Sequence, residues 1–199
     1  MEIMIIYIHG ASATGESFTH IREHVGGPDR VLEYSSDNGF YNNLETMKEE
    51  LESVDRLFFV AHSLGGIYAL HLAEHYRNRV QGGVTLSTPY GGCVQADYAQ
   101  YFLPFSRLMR DVGTMSKPMT DSTKIQAPRN WTNIVTTVGD SPWIHEPNDG
   151  VVTIESMRSK TDMELIEIKL NHYEVVISNR VVDLIKERTK QLSPFPSRI

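Results

Sequence analysis

A serine hydroxyl becomes a nucleophile when the chain holds it in the open beside a base. The segment Ala61-His62-Ser63-Leu64-Gly65-Gly66 has the residue types for this. It follows the apolar run Leu57–Ala61 and opens the Ala- and Leu-rich stretch Leu64–Tyr76. That reads as a strand, a sharp turn and a helix, the context a nucleophile elbow requires. Such a turn would strain the Ser63 backbone and expose its hydroxyl at the carboxyl edge of a sheet. Small residues at Ala61 and Gly65 would let strand and helix pack closely around it. Ala61 stands where glycine is commoner, a departure of one methyl group. The Leu64 amide, at the helix start, would donate to an oxyanion developing beside Ser63. A second donor is expected from the loop after the first strand, where His9-Gly10-Ala11 follows Ile3–Ile8. The Ala11 amide is the candidate, and His9 itself is read as structural.

The nucleophile needs a base, and the base needs an acid to orient it. Both should sit on loops at the carboxyl ends of later strands. Of the eight histidines, only His172 has such a place, just beyond the run Met163–Ile168. His145 is the runner-up. Two acids follow the run Trp131–Val138: Asp140, which also suits a turn cap, and Asp149, which also suits a cap for a helix beginning near Val152. Ser63, acid, His172 is the chain order of one class of triad enzymes. A rival is His71-Leu72-Ala73-Glu74-His75, which spells an inverted zinc-peptidase signature. It lies in the helix behind the elbow, whose apolar face must pack on the sheet, and no third ligand is evident. No metal and no cofactor is expected. His62 adjoins the nucleophile but points away from it on a tight turn, so packing or hydrogen bonding near the elbow is its expected role. Ser12 and Tyr90 are candidates for substrate contact.

The elements that must position these residues alternate. Strands are expected at Ile3–Ile8, Arg30–Tyr34, Leu57–Ala61, Val80–Leu86, Trp131–Val138 and Met163–Ile168. Helices are expected at Ser17–Val25, Leu44–Ser53, Leu64–Tyr76 and Glu174–Gln191. Six strands separated by helices imply a mostly parallel sheet in an α/β domain. The segment Gly91–Pro128 contains no strand pattern but many apolar residues, among them Tyr98, Phe102, Phe105, Met115 and Met119. It is read as an insertion of short helices and loop that covers the active site, with Phe102 and Phe105 lining an acyl pocket.

The chain resembles the α/β-hydrolases, in particular their small lipase and esterase members. The resemblance rests on Tyr7-Ile8-His9-Gly10, Ala61-His62-Ser63-Leu64-Gly65-Gly66, Ser87-Thr88-Pro89-Tyr90-Gly91-Gly92 and Asn148-Asp149-Gly150-Val151-Val152. It covers nearly the whole chain, but the two leading antiparallel strands of the family have no counterpart, so a minimal version of the fold is expected. The resemblance implies a Ser-Asp-His triad, with Asp149 favoured over Asp140 by the Gly-Val-Val that follows it. It implies hydrolysis of carboxylic esters through an acyl-enzyme. A thioesterase or acyltransferase would use the same residues, and a binding protein could keep the fold without turnover.

Composition narrows the classes further. The 199 residues suit one domain spanning 1–199. With 40% apolar and 22% charged residues the chain is neither disordered nor a coiled coil. The net charge, 19 − 25 = −6, with no basic run, argues against nucleic acid and anionic membrane surfaces as partners. A single cysteine, Cys93, excludes an intramolecular disulfide and a cysteine-based zinc cluster. No leader and no run near 20 apolar residues is seen, so a cytoplasmic protein acting on a small ester is expected. Oligomeric state is not indicated by any of these features.

Overall fold

A computed structural model describes residues 2–93, 111 and 113–192. Six strands, β1 (Met4–Ile8), β2 (Asp29–Leu32), β3 (Leu57–His62), β4 (Val80–Leu86), β5 (Trp131–Thr136) and β6 (Glu164–Ile168), form one sheet. Their order is β2-β1-β3-β4-β5-β6, and every neighbouring pair is parallel. The described helices are α1 (Thr19–Val25), α2 (Phe40–Leu51), α3 (Leu64–His75), α4 (Lys117–Ser122), α5 (Ile154–Arg158) and α6 (Asn179–Gln191). None is long and apolar enough to cross a membrane.

The continuous apolar runs of β1 and β3 have a simple cause. Side chains alternate across a strand, and both faces of this sheet are covered. Ile6, Ile8, Phe59 and Ala61 face α2 and α3, while Ile5, Tyr7, Phe58 and Val60 pack with Ile21 of α1 and Val181, Val182 and Ile185 of α6. A strand buried on both sides cannot show a polar alternation. The edge strand β6 reads Glu-Leu-Ile-Glu-Ile and buries only Ile168.

Several expected helices differ in extent, and Ser17–Val25 is a 3-10 turn, Gly15–Phe18, followed by α1. α2 begins at Phe40, ahead of the expected Leu44, because Gly39 takes φ 82° and Phe40 turns inward to stack on Tyr68 at 4.1 Å. The expected helix Glu174–Gln191 is two pieces. A short 3-10 turn, Glu174–Ile177, is followed by extended Ser178 (φ −88°, ψ 123°) and then α6. Val175, Val176 and Val181 are all buried, so the apolar pattern runs across a backbone break that it does not register.

Strand order reverses in direction between β1 and β3, with β2 lying outside β1. Crevices at the carboxyl ends of such a pair are the usual ligand sites of open parallel sheets. Ile8 pairs with Ala61 there, so the Gly10–Ala11 and Ser63–Leu64 segments leave the sheet side by side. Of the insertion 91–128, residues 94–110 and 112, with Tyr98, Phe102 and Phe105 among them, lie outside the described residues. The remainder contains α4, whose Met119 is buried in the core, and a highly exposed Met115.

Candidate active site

Ser63 caps the start of α3 with φ 53° and ψ −126°. A residue with a Cβ seldom occupies this region, at a cost of about 1–3 kcal/mol. The turn is held by hydrogen bonds on both sides: Ser63 N–H donates to Leu86 O (2.8 Å) and Gly66 N–H donates to Ser63 O (2.9 Å). Ser63 is half-buried, whereas His62 and Leu64 on either side are buried. Its hydroxyl makes no hydrogen bond among the described residues. The close approach that creates this turn depends on Gly65. A Cβ there would collide with the carbonyl oxygens of Ile8 and His9, so the first turn of α3 presses directly on the end of β1.

The facing loop is equally constrained. A Cβ on Gly10 would sit 3.2 Å from Ser63 Cβ and 3.0 Å from His62 Nδ1. His9 is buried, stacks flat on Tyr34 (4.3 Å, 1°) and donates from Nδ1 to Gly10 O (2.8 Å). The Tyr34 hydroxyl donates to His9 O (3.1 Å). Glu33 reaches His9 Nε2 (3.0 Å) with one oxygen and accepts from Gly15 N–H (2.8 Å) with the other. Ser12 takes φ 56° and is exposed, its amide donating to Ser36 Oγ (3.2 Å). Among the described residues the Ala11 and Leu64 amides meet no acceptor.

His172 and Asp149 meet on the loops that follow β6 and β5. His172 Nδ1 lies 2.7 Å from Asp149 Oδ2, with both residues almost fully buried. Asp149 Oδ2 also accepts from Thr136 Oγ1–H (2.6 Å). Its Oδ1 accepts from the amides of Val151 (3.0 Å) and Val152 (2.8 Å). Four donors on two oxygens describe an ionised carboxylate. Burial pushes the Asp149 carboxyl up, but the His172 bond and charge, Thr136 and the Val152 amide outweigh it and hold the carboxyl below its ordinary range. With Nδ1 donating to Asp149, the lone pair of neutral His172 is left on Nε2.

The backbones are tied as well. His172 N–H donates to Asp149 O (3.0 Å) and Asp149 N–H to Val152 O (3.1 Å). A Cβ on Gly139 would collide with the Asp149–Gly150 peptide. Asp149 caps no helix, since α5 begins at Ile154 and is capped by Thr153, whose side chain accepts from Ser156 N–H. Asp140 and His145 are exposed on the same loop.

His62 links the two halves of the site. Its ring lies 4.7 Å from that of His172, and its Nε2 is 2.9 Å from His172 O. Burial, reinforced by the neighbouring His172, pushes His62 down to about 3. It is therefore neutral near pH 7 and donates from Nε2. Tyr90 is buried in the core, its hydroxyl within reach of Thr85 Oγ1 (3.1 Å) and accepting from Trp131 Nε1 (3.2 Å). His71 Nε2 donates to Pro118 O (3.1 Å), His75 is exposed, and Glu74 pairs with Arg77. No group of three or more possible metal ligands occurs among the described residues. Thr136 carries no catalytic signal in the sequence, and Ser87 stands there only within the Ser87–Gly92 segment of the resemblance; Thr136 reaches Asp149, and Ser87 reaches Thr136, through the pairing of β4 with β5.

Solved structures share this arrangement of strands and helices. The metagenomic carboxyl esterase MGS0156 has a TM-score of 0.75 at 15% identity, over 96% of this chain and 75% of that one. Phospholipase PlaB from Legionella pneumophila has a TM-score of 0.74 at 10% identity, over 94% of this chain and 60% of that one. The mature lipase BlEst2 from Bacillus licheniformis has a TM-score of 0.71 at 14% identity, over 94% and 92%. The chain has an α/β-hydrolase fold. Within that fold, the elbow turn at Ser63 and the loops carrying Asp149 and His172 all open at the carboxyl edge of the sheet. No protein-family model and no curated protein sequence matches the chain.

Proposed function

We propose that the protein is a serine hydrolase that cleaves carboxylic esters, with Ser63 as nucleophile, His172 as base and Asp149 as orienting acid. The observation that carries this reading is the positive-φ turn presenting Ser63 at the same sheet edge as the buried His172–Asp149 pair. Ser63 Oγ attacks the ester carbonyl carbon while its proton passes to His172 Nε2. The carbonyl oxygen takes the negative charge and is met by the Ala11 and Leu64 amides, which have no acceptor among the described residues. Collapse of this intermediate breaks the bond to the alcohol oxygen, which takes the proton from His172. Water then repeats the sequence on the acyl-enzyme, releasing the acid and restoring Ser63.

The named activities of the structural neighbours, carboxyl esterase, lipase and phospholipase, agree with an ester substrate. Residues 91–128 remain the proposed cover of the site, and Ser12 the proposed substrate contact at its rim. The test is hydrolysis of p-nitrophenyl acetate by purified wild type and Ser63→Ala. The variant is expected to fold with an unchanged circular dichroism spectrum and to lose at least about three orders of magnitude in kcat. Comparable turnover in the two proteins would refute the reading.

A further inference from the structure

The acid of the site is itself held by a buried hydroxyl chain that extends into the sheet. Ser87 follows the last residue of β4 and takes φ 52°. Its amide donates to Ile134 O (2.9 Å), and its Oγ lies 2.8 Å from Thr136 Oγ1 at the end of β5. Thr136 spends its only proton on Asp149 Oδ2 (2.6 Å), so Ser87 must donate to Thr136. The sequence Ser87 → Thr136 → Asp149 ← His172 is thus fixed in direction, and both hydroxyl residues are 0% exposed. A left-handed backbone at a buried, non-glycine residue is costly; here it aims a hydroxyl at Thr136.

We propose that Thr136, oriented by Ser87, is a positioning residue that fixes the Asp149 carboxylate toward His172 and sets the acidic limb of the activity. The inference rests on the hydrolase reading above. Asp149 Oδ2 carries two donors, and each weakens its hold on the other. If Thr136 is removed, Oδ2 loses one of its two donors and is held less firmly toward His172, although Oδ1 stays anchored by the Val151 and Val152 amides, and its charge, no longer shared with Thr136, holds the imidazole proton more tightly. The first effect lowers kcat. The second moves the acidic limb of kcat/KM to higher pH, because the base must lose that proton before it can act.

The other groups around Asp149 leave this assignment unobstructed. His172 faces it directly, and neutral His62 lies behind His172. From α5 the side chain against Thr136 is Met157, whose Sδ is at 3.5 Å, while Glu155 and Arg158 are exposed and Arg158 pairs with Glu167 of β6. Asp140, His145 and Glu146 of the preceding loop are exposed.

The experiment compares wild type, Thr136→Val, Thr136→Ser and Ser87→Ala. It reads the pH profile of kcat/KM on p-nitrophenyl acetate, the separate kcat and KM, and the melting temperature. Thr136→Val is isosteric and is expected to lower kcat roughly tenfold to a hundredfold, the worth of a hydrogen bond to a charged group. KM should change little and the acidic limb should move up. Thr136→Ser restores the hydroxyl and should recover most of the rate. Ser87→Ala should move the limb in the same direction by less. A Thr136→Val enzyme with wild-type kcat and limb would overturn the proposal, as would Thr136→Ser falling as far as Thr136→Val, which would mean that packing is the cause. If Thr136→Val does not fold, Ser87→Ala decides, and a wild-type limb there overturns the proposal. Fluorophosphonate labelling of the wild-type protein separates the two claims. Labelling at Ser63 with unmoved variant profiles refutes the role of Thr136 alone, whereas no labelling refutes the hydrolase reading and this inference with it.

Discussion

At the scale of single residues the site turns on which carboxylate faces His172. Asp149 and Asp140 lie on the same loop, yet one is buried with four donors on its oxygens and the other is exposed. Asp149→Asn replaces one accepting oxygen by an amide that donates. Wherever that amide sits, it opposes His172 Nδ1–H, the Thr136 hydroxyl or the paired amides of Val151 and Val152. It also removes the charge that steadies an imidazolium. The expected outcome is a loss in kcat of about 10²–10⁴ for Asp149→Asn, against less than about twofold for Asp140→Asn, whose side chain is exposed and does not bond His172. Steady-state kinetics on one ester checks both, and the reverse ranking would move the acid to Asp140. Asp149 also makes a signed prediction for stability. Its folded carboxyl is held below the ordinary value of about 3.9, so the stability it contributes is complete above that value and is lost as pH falls through the folded one.

At the scale of elements the decisive contact is between the first turn of α3 and the end of β1. Gly65→Ala should favour an isolated helix, but here its Cβ meets the Ile8 and His9 carbonyls. Overpacking against backbone costs about 1–3 kcal/mol, a fall in Tm of roughly 2–10 °C for a chain of this size. Activity should fall further than stability alone would dictate, because the segment displaced carries the Ala11 amide. Calorimetry beside kcat checks this, and a variant with wild-type Tm would show that the contact is looser than described. The sheet and the order of its elements were legible in the sequence, as was close packing at Gly65, but not that its neighbour is the end of β1. Doubly buried strands produce unbroken apolar runs, and the glycines and small residues around Ser63 mark a turn that tolerates nothing larger. Asp149 and His172 could be placed because each follows a strand. The Ser87–Thr136 chain could not be placed, since the two hydroxyls are 49 residues apart and meet only through the pairing of Leu86 with Ile134. The start of α2 was missed because Gly39 provides no side-chain cap.

At the scale of the whole molecule, the buried histidine that joins elbow to base loop makes folding sensitive to acid. His62 is neutral in the fold, pushed down to about 3, and takes a proton near 6.5 once the chain unfolds. Between these values the unfolded state binds more protons, so stability falls as pH falls, by up to about 1.4 kcal/mol per pH unit from this one group. His62→Gln keeps a donor toward His172 O without a titrating ring, and its urea-unfolding free energy should fall less steeply from pH 7 to pH 4.5 than that of wild type. Parallel slopes would mean that His62 is not held neutral. The fold as a whole brings one half-buried hydroxyl, one buried acid–histidine pair and two amides without acceptors among the described residues to a single sheet edge, where Ser63 is proposed to become reactive. The most direct measurement is incubation of the intact protein with a fluorophosphonate probe, followed by mass spectrometry of the protein and its peptides. A single adduct on Ser63 is expected, absent from Ser63→Ala and strongly slowed in Asp149→Asn. No adduct, or an adduct on another residue that persists in Ser63→Ala, would contradict it.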